Sequence, residues 1–364
     1  MKKRRIVFVI HALNIGGAER TIVNLLKHIS RDRYDIHLVV FRATGAFMKE
    51  IPLDITLHDL GVSSAKRGMI PLVRQLYRLK PDILFSGIGY LNALLSLLIP
   101  LINLTIKKPI HWIARETSIV SIIIQNERFT KLFAWLYRHS YKNFDTIICQ
   151  SHYMREDLSK NYAIPQEKMV IINNPVDIDR IEQLSQMPIE HHFDPQKINL
   201  LAVGALRGVK RFDQLLKAFS SLDDRYRLTI VGGGSKEAEL KAYAVELKIE
   251  QSVCFVGHQS NPYAYMHGAD LLLLTSEYEG FPNVLLEANS CGIPVMAFDC
   301  PGGVSEIVQE GINGELIPCQ DIEALTKRIA SFDKSHYPPE RLHAYVAQNY
   351  RMDKIIKAYE AVLV

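Results

Sequence analysis

The sequence predicts an α/β chain built as two doubly wound domains in tandem, facing each other across a cleft. Three observations carry that reading. The 364 residues are long for one domain and natural for two. Continuous apolar runs alternate with amphipathic helical stretches, the pattern of parallel strands covered on both faces. The two halves also open alike. The first has residues 6–10 (IVFVI), the loop HALNIGGAER and a helix with Ile22, Leu25, Leu26 and Ile29 at helical spacing. The second has residues 198–203 (INLLAV), a loop at 204–211 and a helix over 212–219.

In the first domain, residues 1–175, further buried strands are expected at 36–41, 82–85, 110–114 and 146–149. The start, MKKRRIVFVIHAL, has the charge of a signal peptide. Its apolar part is too short and meets a Gly-rich loop with no small-residue cleavage site, so it reads as the first strand. Residues 91–106 are very apolar, but Asn92, Ser96, Pro100 and Asn103 interrupt them. They fall short of the roughly 20 residues a spanning helix needs, and no transmembrane anchor is expected. Residues 119–124 (IVSIII) and 128–142 (RFTKLFAWLYRHSYK) leave two readings open. Phe133, Leu136 and Tyr137 can pack a helix on the core, or the segment can dock on an anionic membrane.

Asn173-Asn174-Pro175 ends a strand-like run at 169–172 and marks the boundary. A polar stretch to about residue 197, with Pro188, His191 and His192, leads into the second domain, 176–349. Its further strands are expected at 227–231, 253–256, 269–274 and 294–298. A last amphipathic helix, about 350–364, can pack back on the first domain. Ligands bind beyond the carboxyl ends of open parallel sheets, so the cleft is the expected active site.

A net charge of +4 is too weak to argue for nucleic acid, and none is expected as a partner. It suits an anionic substrate or an acidic membrane face. The five cysteines are odd in number and lack CxxC spacing, which reads as a reduced cytosolic chain with buried thiols.

Three glycine loops sit at strand ends. Asn14-Ile15-Gly16-Gly17 follows the first strand and opens the first helix, where paired glycines and helix N–H groups favour an anion. A plain strand-to-helix turn is the alternative. The loop is neither GxGxxG nor a P-loop, which weakens dinucleotide oxidoreductase and NTPase readings. Val231-Gly232-Gly233-Gly234 and Asp299-Cys300-Pro301-Gly302-Gly303 are the other two, and Gly232 is a candidate for phosphate or sugar contact.

The stretch SEYEGFPNVLLEANSCGIPV, residues 276–295, sets Glu279 and Glu287 eight residues apart. A helix from 283 to about 291 is expected, with Pro282 where it starts. Glu287 borders the apolar stripe of Val284, Ala288 and Cys291. A half-buried carboxylate there costs free energy unless it accepts good hydrogen bonds. Sugar or ribose hydroxyls donate them; capping another helix or pairing with an Arg are the alternatives.

That stretch resembles the signature of retaining glycosyltransferases of family 4, which have the GT-B fold of two Rossmann-like domains. GGAER, NPVD, VGALRGVKRFDQLLKAF and PGGVSEIVQEGINGEL recur in that family in this order. The resemblance implies that Glu287 binds the ribose hydroxyls of a nucleotide and Glu279 the donor sugar. Gly280, Phe281, Pro282 and Asn283 would line the donor pocket with backbone. Gly16 and Gly17 would face the diphosphate, Lys210 would neutralise it, and residues 253–258, ending in His258, would lie beside the base. The family usually carries Arg where this chain has Ala205, and Arg207 stands two residues on as a candidate replacement.

The implied reaction moves a sugar, a hexose or N-acetylhexosamine, from a UDP-linked donor to a hydroxyl of a lipid-linked glycan acceptor, in the making of surface polysaccharide, lipopolysaccharide or another glycan. A metal-independent reaction without a cofactor is expected, with Lys210 and Arg207 stabilising the leaving group. Arg115 and Glu116 end the strand HWIARET and should face the cleft, Arg115 for an acceptor phosphate and Glu116 for an acceptor hydroxyl, with structural pairing as the alternative for each. The expected location is cytoplasmic, with peripheral contact to the inner membrane face. Two rivals share the architecture: a nucleotide-sugar 2-epimerase and a non-catalytic partner subunit.

Overall fold

The computed structural model describes residues 3–125, 129–190 and 193–364. Arg128, His191 and His192, named above, lie outside the described residues. The chain forms two compact units, residues 1–175 with 353–364, and residues 176–352.

The first unit holds seven strands: β1 (Arg4–Ile10), β2 (Tyr34–Val40), β3 (Thr56–Asp59), β4 (Ile83–Ser86), β5 (His111–Arg115), β6 (Thr146–Cys149) and β7 (Met169–Ile171). They pair in parallel in the order β3-β2-β1-β4-β5-β6-β7. Residues 6–10 of β1 are all buried, as an apolar run between two neighbours demands. The strand order reverses between β1 and β4. The edge strand β3 (TLHD) was not expected. It exposes three of its four residues and carries no apolar run to read.

Helix Gly89–Thr105 is the apolar 91–106 stretch, and among the described residues no helix is long and apolar enough to cross a membrane. In helix Thr130–His139, Phe133, Leu136 and Tyr137 are buried, so these three residues pack on the core. The helix Met352–Val362 returns to the first unit. Tyr359 is fully buried there, Ser30 N–H donates to Glu360 at 2.8 Å, and Arg4 donates to the Leu363 carbonyl at 3.0 Å.

The second unit holds β8 (Ile198–Val203), β9 (Tyr226–Val231), β10 (Val253–Gly257), β11 (Leu271–Leu274), β12 (Val295–Asp299) and β13 (Gly314–Pro318). Their parallel order is β10-β9-β8-β11-β12-β13, reversing between β8 and β11. The helix Asn283–Ser290 is tied down by a buried amide pair. Asn313 donates to Asn289 Oδ1 at 2.8 Å, and Asn289 donates to the Asn313 carbonyl at 3.1 Å. Both units are thus open parallel α/β sheets of the Rossmann-like kind.

Candidate active site

In the second unit, the loops after β8 and β11 leave the sheet on either side of its reversal point. That is where open α/β sheets bind ligands. The two loops are laced together. Glu277 N–H donates to the Val209 carbonyl at 2.8 Å, and the Thr275 hydroxyl lies 3.1 Å from the carbonyls of Lys210 and Arg211. The lacing sets the Lys210 ammonium 2.5 Å from Glu279 Oε1, which also accepts from the Ser276 hydroxyl at 2.7 Å. The pair keeps only 24% and 13% of its side-chain surface in solvent. Two residues read from separate motifs, 69 positions apart, therefore meet.

A third loop closes on this pair. Glu279 N–H donates to the Pro301 carbonyl at 3.0 Å, and Gly303 N–H donates to the Gly280 carbonyl at 3.1 Å. Gly302 has φ +125°, and a Cβ on it would stand 1.6 Å from the Glu279 carbonyl oxygen. Only glycine satisfies both the dihedral and the contact. Gly232 plays the same part between the loops after β8 and β9: at φ +147°, its Cβ would meet the Gly204 carbonyl at 1.9 Å. His258 is exposed and lies beside Gly233.

Pro282 stands at the N-cap of the helix Asn283–Ser290. Phe281 turns its side chain into the core, 5.9 Å from the Tyr350 ring between centroids, so backbone is what the 280–283 stretch presents. Glu287 is half-buried on the second turn. Burial first, and then its charge, push the Cys291 thiol up.

Arg207 does not join the pair. It is exposed, and it makes no side-chain hydrogen bond or ion pair among the described residues. Arg211 is turned away onto Asp213 at 2.9 Å.

In the first unit, Gly16 caps and Gly17 opens the helix Gly17–His28 beyond β1. Sequence reading passed over Glu19, in that helix's first turn. A Cβ on Gly16 would meet its carboxyl at 2.4 Å. Burial pushes Glu19 up, against its own backbone N–H and the Arg115 charge. The acid in GGAER was the available signal, since carboxylates suit helix N-termini.

Arg115 and Glu116 were expected to face the cleft, with structural pairing as the alternative; both are buried, and Arg115 is engaged in structural hydrogen bonds. Arg115 is 0% exposed. It donates to Asn174 at 2.6 Å and to the Tyr359 hydroxyl at 3.0 Å. The returning helix covers it through Tyr359. Glu116 is 2% exposed on the opposite face. Its Oε1 accepts from Tyr141, from Asn92 at 3.2 Å and from Tyr137 at 3.4 Å. Burial raises its carboxyl above the ordinary range, and these three donors only partly offset that.

The profile of "Glycosyl transferases group 1" matches residues 186–351, and that of "Glycosyltransferase Family 4" matches residues 15–180. The chain is 28% identical over 317 residues to the Campylobacter jejuni N-acetylgalactosamine-N,N'-diacetylbacillosaminyl-diphospho-undecaprenol 4-alpha-N-acetylgalactosaminyltransferase, covering 85% of this chain and 84% of that one. It is 36% identical over 160 residues to the Salmonella typhimurium lipopolysaccharide 1,6-galactosyltransferase, 42% of this chain and 43% of that one. Its fold is similar to that of Anabaena HepE, solved in complex with UDP, at TM-score 0.78, with 20% identity over 99% of both chains.

Proposed function

This chain belongs to the group 1, family 4 glycosyltransferases of GT-B fold, and from that membership we propose that it moves a sugar from a UDP-sugar to a hydroxyl of a lipid-linked glycan, with retained anomeric configuration. The acceptor class follows the relatives, which by name act on an undecaprenol-diphosphate glycan and on lipopolysaccharide. The single observation that carries the reading is the Lys210–Glu279 pair at the reversal point of the second sheet.

In this mechanism the bond from the anomeric carbon to the diphosphate oxygen breaks, and one to the acceptor oxygen forms on the same face. The acceptor proton passes to the departing phosphate oxygen. The barrier is the charge on the leaving diphosphate. Lys210, held in place by Glu279, meets that charge without reorganising, and the N–H groups opening helix Asn283–Ser290 add their dipole. Glu279 keeps its second oxygen for a donor-sugar hydroxyl, and Glu287 receives the ribose. No step in this proposal calls for a metal, and transfer is expected to persist in EDTA.

A thermal-shift screen of nucleotide-sugars without metal, with wild type beside Glu287→Ala, tests the donor site. One UDP-sugar should stabilise the wild type and not the variant. No shift with any nucleotide would return the partner-subunit reading.

We also place the acceptor's membrane against the first unit. Leu97, Leu101 and Leu104 on helix Gly89–Thr105, and Leu132 and Trp135 on helix Thr130–His139, are exposed, near exposed Lys107, Lys131 and Arg138. Exposed apolar residues with cations close by in sequence suit an anionic bilayer. Flotation with anionic vesicles should retain the protein, and with neutral ones should not; equal behaviour in both would remove the membrane from this face.

A further inference from the structure

The first unit contains a small cavity of about 120 Å³ that the donor chemistry does not use. It lies beyond the carboxyl ends of β4 and β5, beside the reversal point of that sheet. Its walls are Tyr90, Val120, Ile123, Ile124, Phe133 and Tyr137, and Glu116 is the one carboxyl among its lining residues. The size matters. Cavities of about 150 Å³ take up benzene, so this one holds a substituent of a few heavy atoms and not a whole hexose.

The two oxygens of Glu116 are not equivalent. Oε1 already accepts from Tyr141, Asn92 and Tyr137. Oε2 takes no hydrogen bond among the described residues and faces Gly89, where an added Cβ would stand 2.8 Å from it. Gly89 thus leaves open the space in front of an oxygen that makes no hydrogen bond among the described residues, on a side chain 2% exposed. Burial raises the carboxyl, which favours its neutral form. Tyr141, Asn92 and Tyr137 are all turned to Oε1, so the neutral form carries its proton on Oε2. The cavity then sets that O–H beside the apolar side chains of Val120, Ile123, Ile124 and Phe133, with Thr117, Tyr90 and Tyr137 also in the lining.

An occupant must bring a small apolar group next to one acceptor oxygen. A hydroxyl alone would leave the walls unfilled. A plain alkyl chain would leave Oε2 unsatisfied, which costs free energy in a buried site. An N-acetyl group meets both demands, its methyl against Val120, Ile124 and Phe133 and its carbonyl oxygen on Oε2–H.

We propose that this cavity is a specificity subsite for the N-acyl substituent of the acceptor sugar, with Glu116 as the hydrogen-bond donor to the acyl carbonyl. The inference rests on the acceptor reading given above and narrows its substrate class to N-acylated amino sugars. Glu116 here positions and selects the acceptor and does not take part in bond making.

The test is binding to the full chain, read by NMR titration, with methyl 2-acetamido-2-deoxy-α-galactoside and methyl α-galactoside as probes. The acetamido sugar should bind about tenfold or more tightly, since a site built to donate a hydrogen bond rejects a ligand that lacks the acceptor. Ile123→Trp, at the partly exposed rim, should fill the cavity and abolish the preference while leaving UDP binding, read separately by thermal shift, unchanged. Glu116→Gln should keep the preference, because its amide N–H can donate in place of the acid, whereas Glu116→Ala should lose it. Equal affinity for the two sugars would overturn the inference, as would a preference that survives Ile123→Trp. A wild type that shows the acetamido preference yet binds no UDP would refute the sugar-transfer reading and uphold the subsite.

Discussion

At the scale of single residues, the candidate site separates into groups whose position is fixed and groups whose position is free. Lys210 is fixed by Glu279, and Arg207 extends into solvent. Lys210→Ala should therefore lower kcat on the order of 10²–10³-fold, the loss seen when one preorganised charge-stabilising donor goes. Arg207→Ala should change kcat far less, since ordering a free side chain costs entropy that offsets its attraction. Steady-state kinetics on both would show it, and equal losses would make Arg207 a full member of the site. Glu116 gives a second residue-scale prediction, in pH. Burial raises its folded value above that of the unfolded chain, with Asp157 adding to the rise and Tyr141, Asn92 and Tyr137 opposing it. The stability it contributes is thus complete below the ordinary carboxyl range and lost as pH rises through the raised value. Glu116→Gln cannot ionise. Melting curves from acid to neutral pH should show the wild type losing ground against that variant, and parallel curves would mean that Glu116 is an ordinary carboxylate.

At the scale of elements, strands with an apolar run were legible, the edge strands β7 and β10 among them, while the edge strands β3 and β13 were not. The runs at 6–10 and 198–203 are apolar because both sheet faces are covered, and the strands form there. β3 and β13 lie at edges, where half-exposed residues such as those of TLHD and GELIP carry no run to detect. The burial of Arg115 was illegible for a different reason. It depends on Tyr359, 244 residues away, and no window along the chain contains both. The glycine loops were legible as glycine but not in what they do. Gly302 allows one loop backbone to lie directly on that of Glu279. Gly302→Ala should cost at least about 1–3 kcal/mol from backbone strain alone, and should also displace Glu279 and so suppress transfer. Gly61→Ala, at φ +68° with nothing within 4 Å of the added methyl, supplies the strain without the collision. If the two variants lost activity equally, the contact to Glu279 would have no functional part.

For the whole molecule, the same architectural rule operates twice, once in each open sheet, and it separates the chemistry by unit. The Lys210–Glu279 pair stands at the reversal of the second sheet, and the Glu116 cavity lies beside the reversal of the first. The motifs that made the donor loops readable are local in sequence, with each of them inside one strand-loop-helix unit. The acceptor cavity draws on residues 88–90, 116–124 and 133–137, and no spacing marks them as a set. Hydrogen exchange across the full chain can test this division. A ligand that binds the native state slows exchange wherever opening exposes its site, by a free energy of about 2.7 kcal/mol at a hundredfold excess over Kd. UDP should therefore slow exchange over residues 204–211, 275–287 and 300–304, and leave the amides around Glu116 near their unliganded rates. Protection spread evenly over both units would show that nucleotide binding stabilises the chain as one body, and the assignment of donor chemistry to the three laced loops would lose its basis.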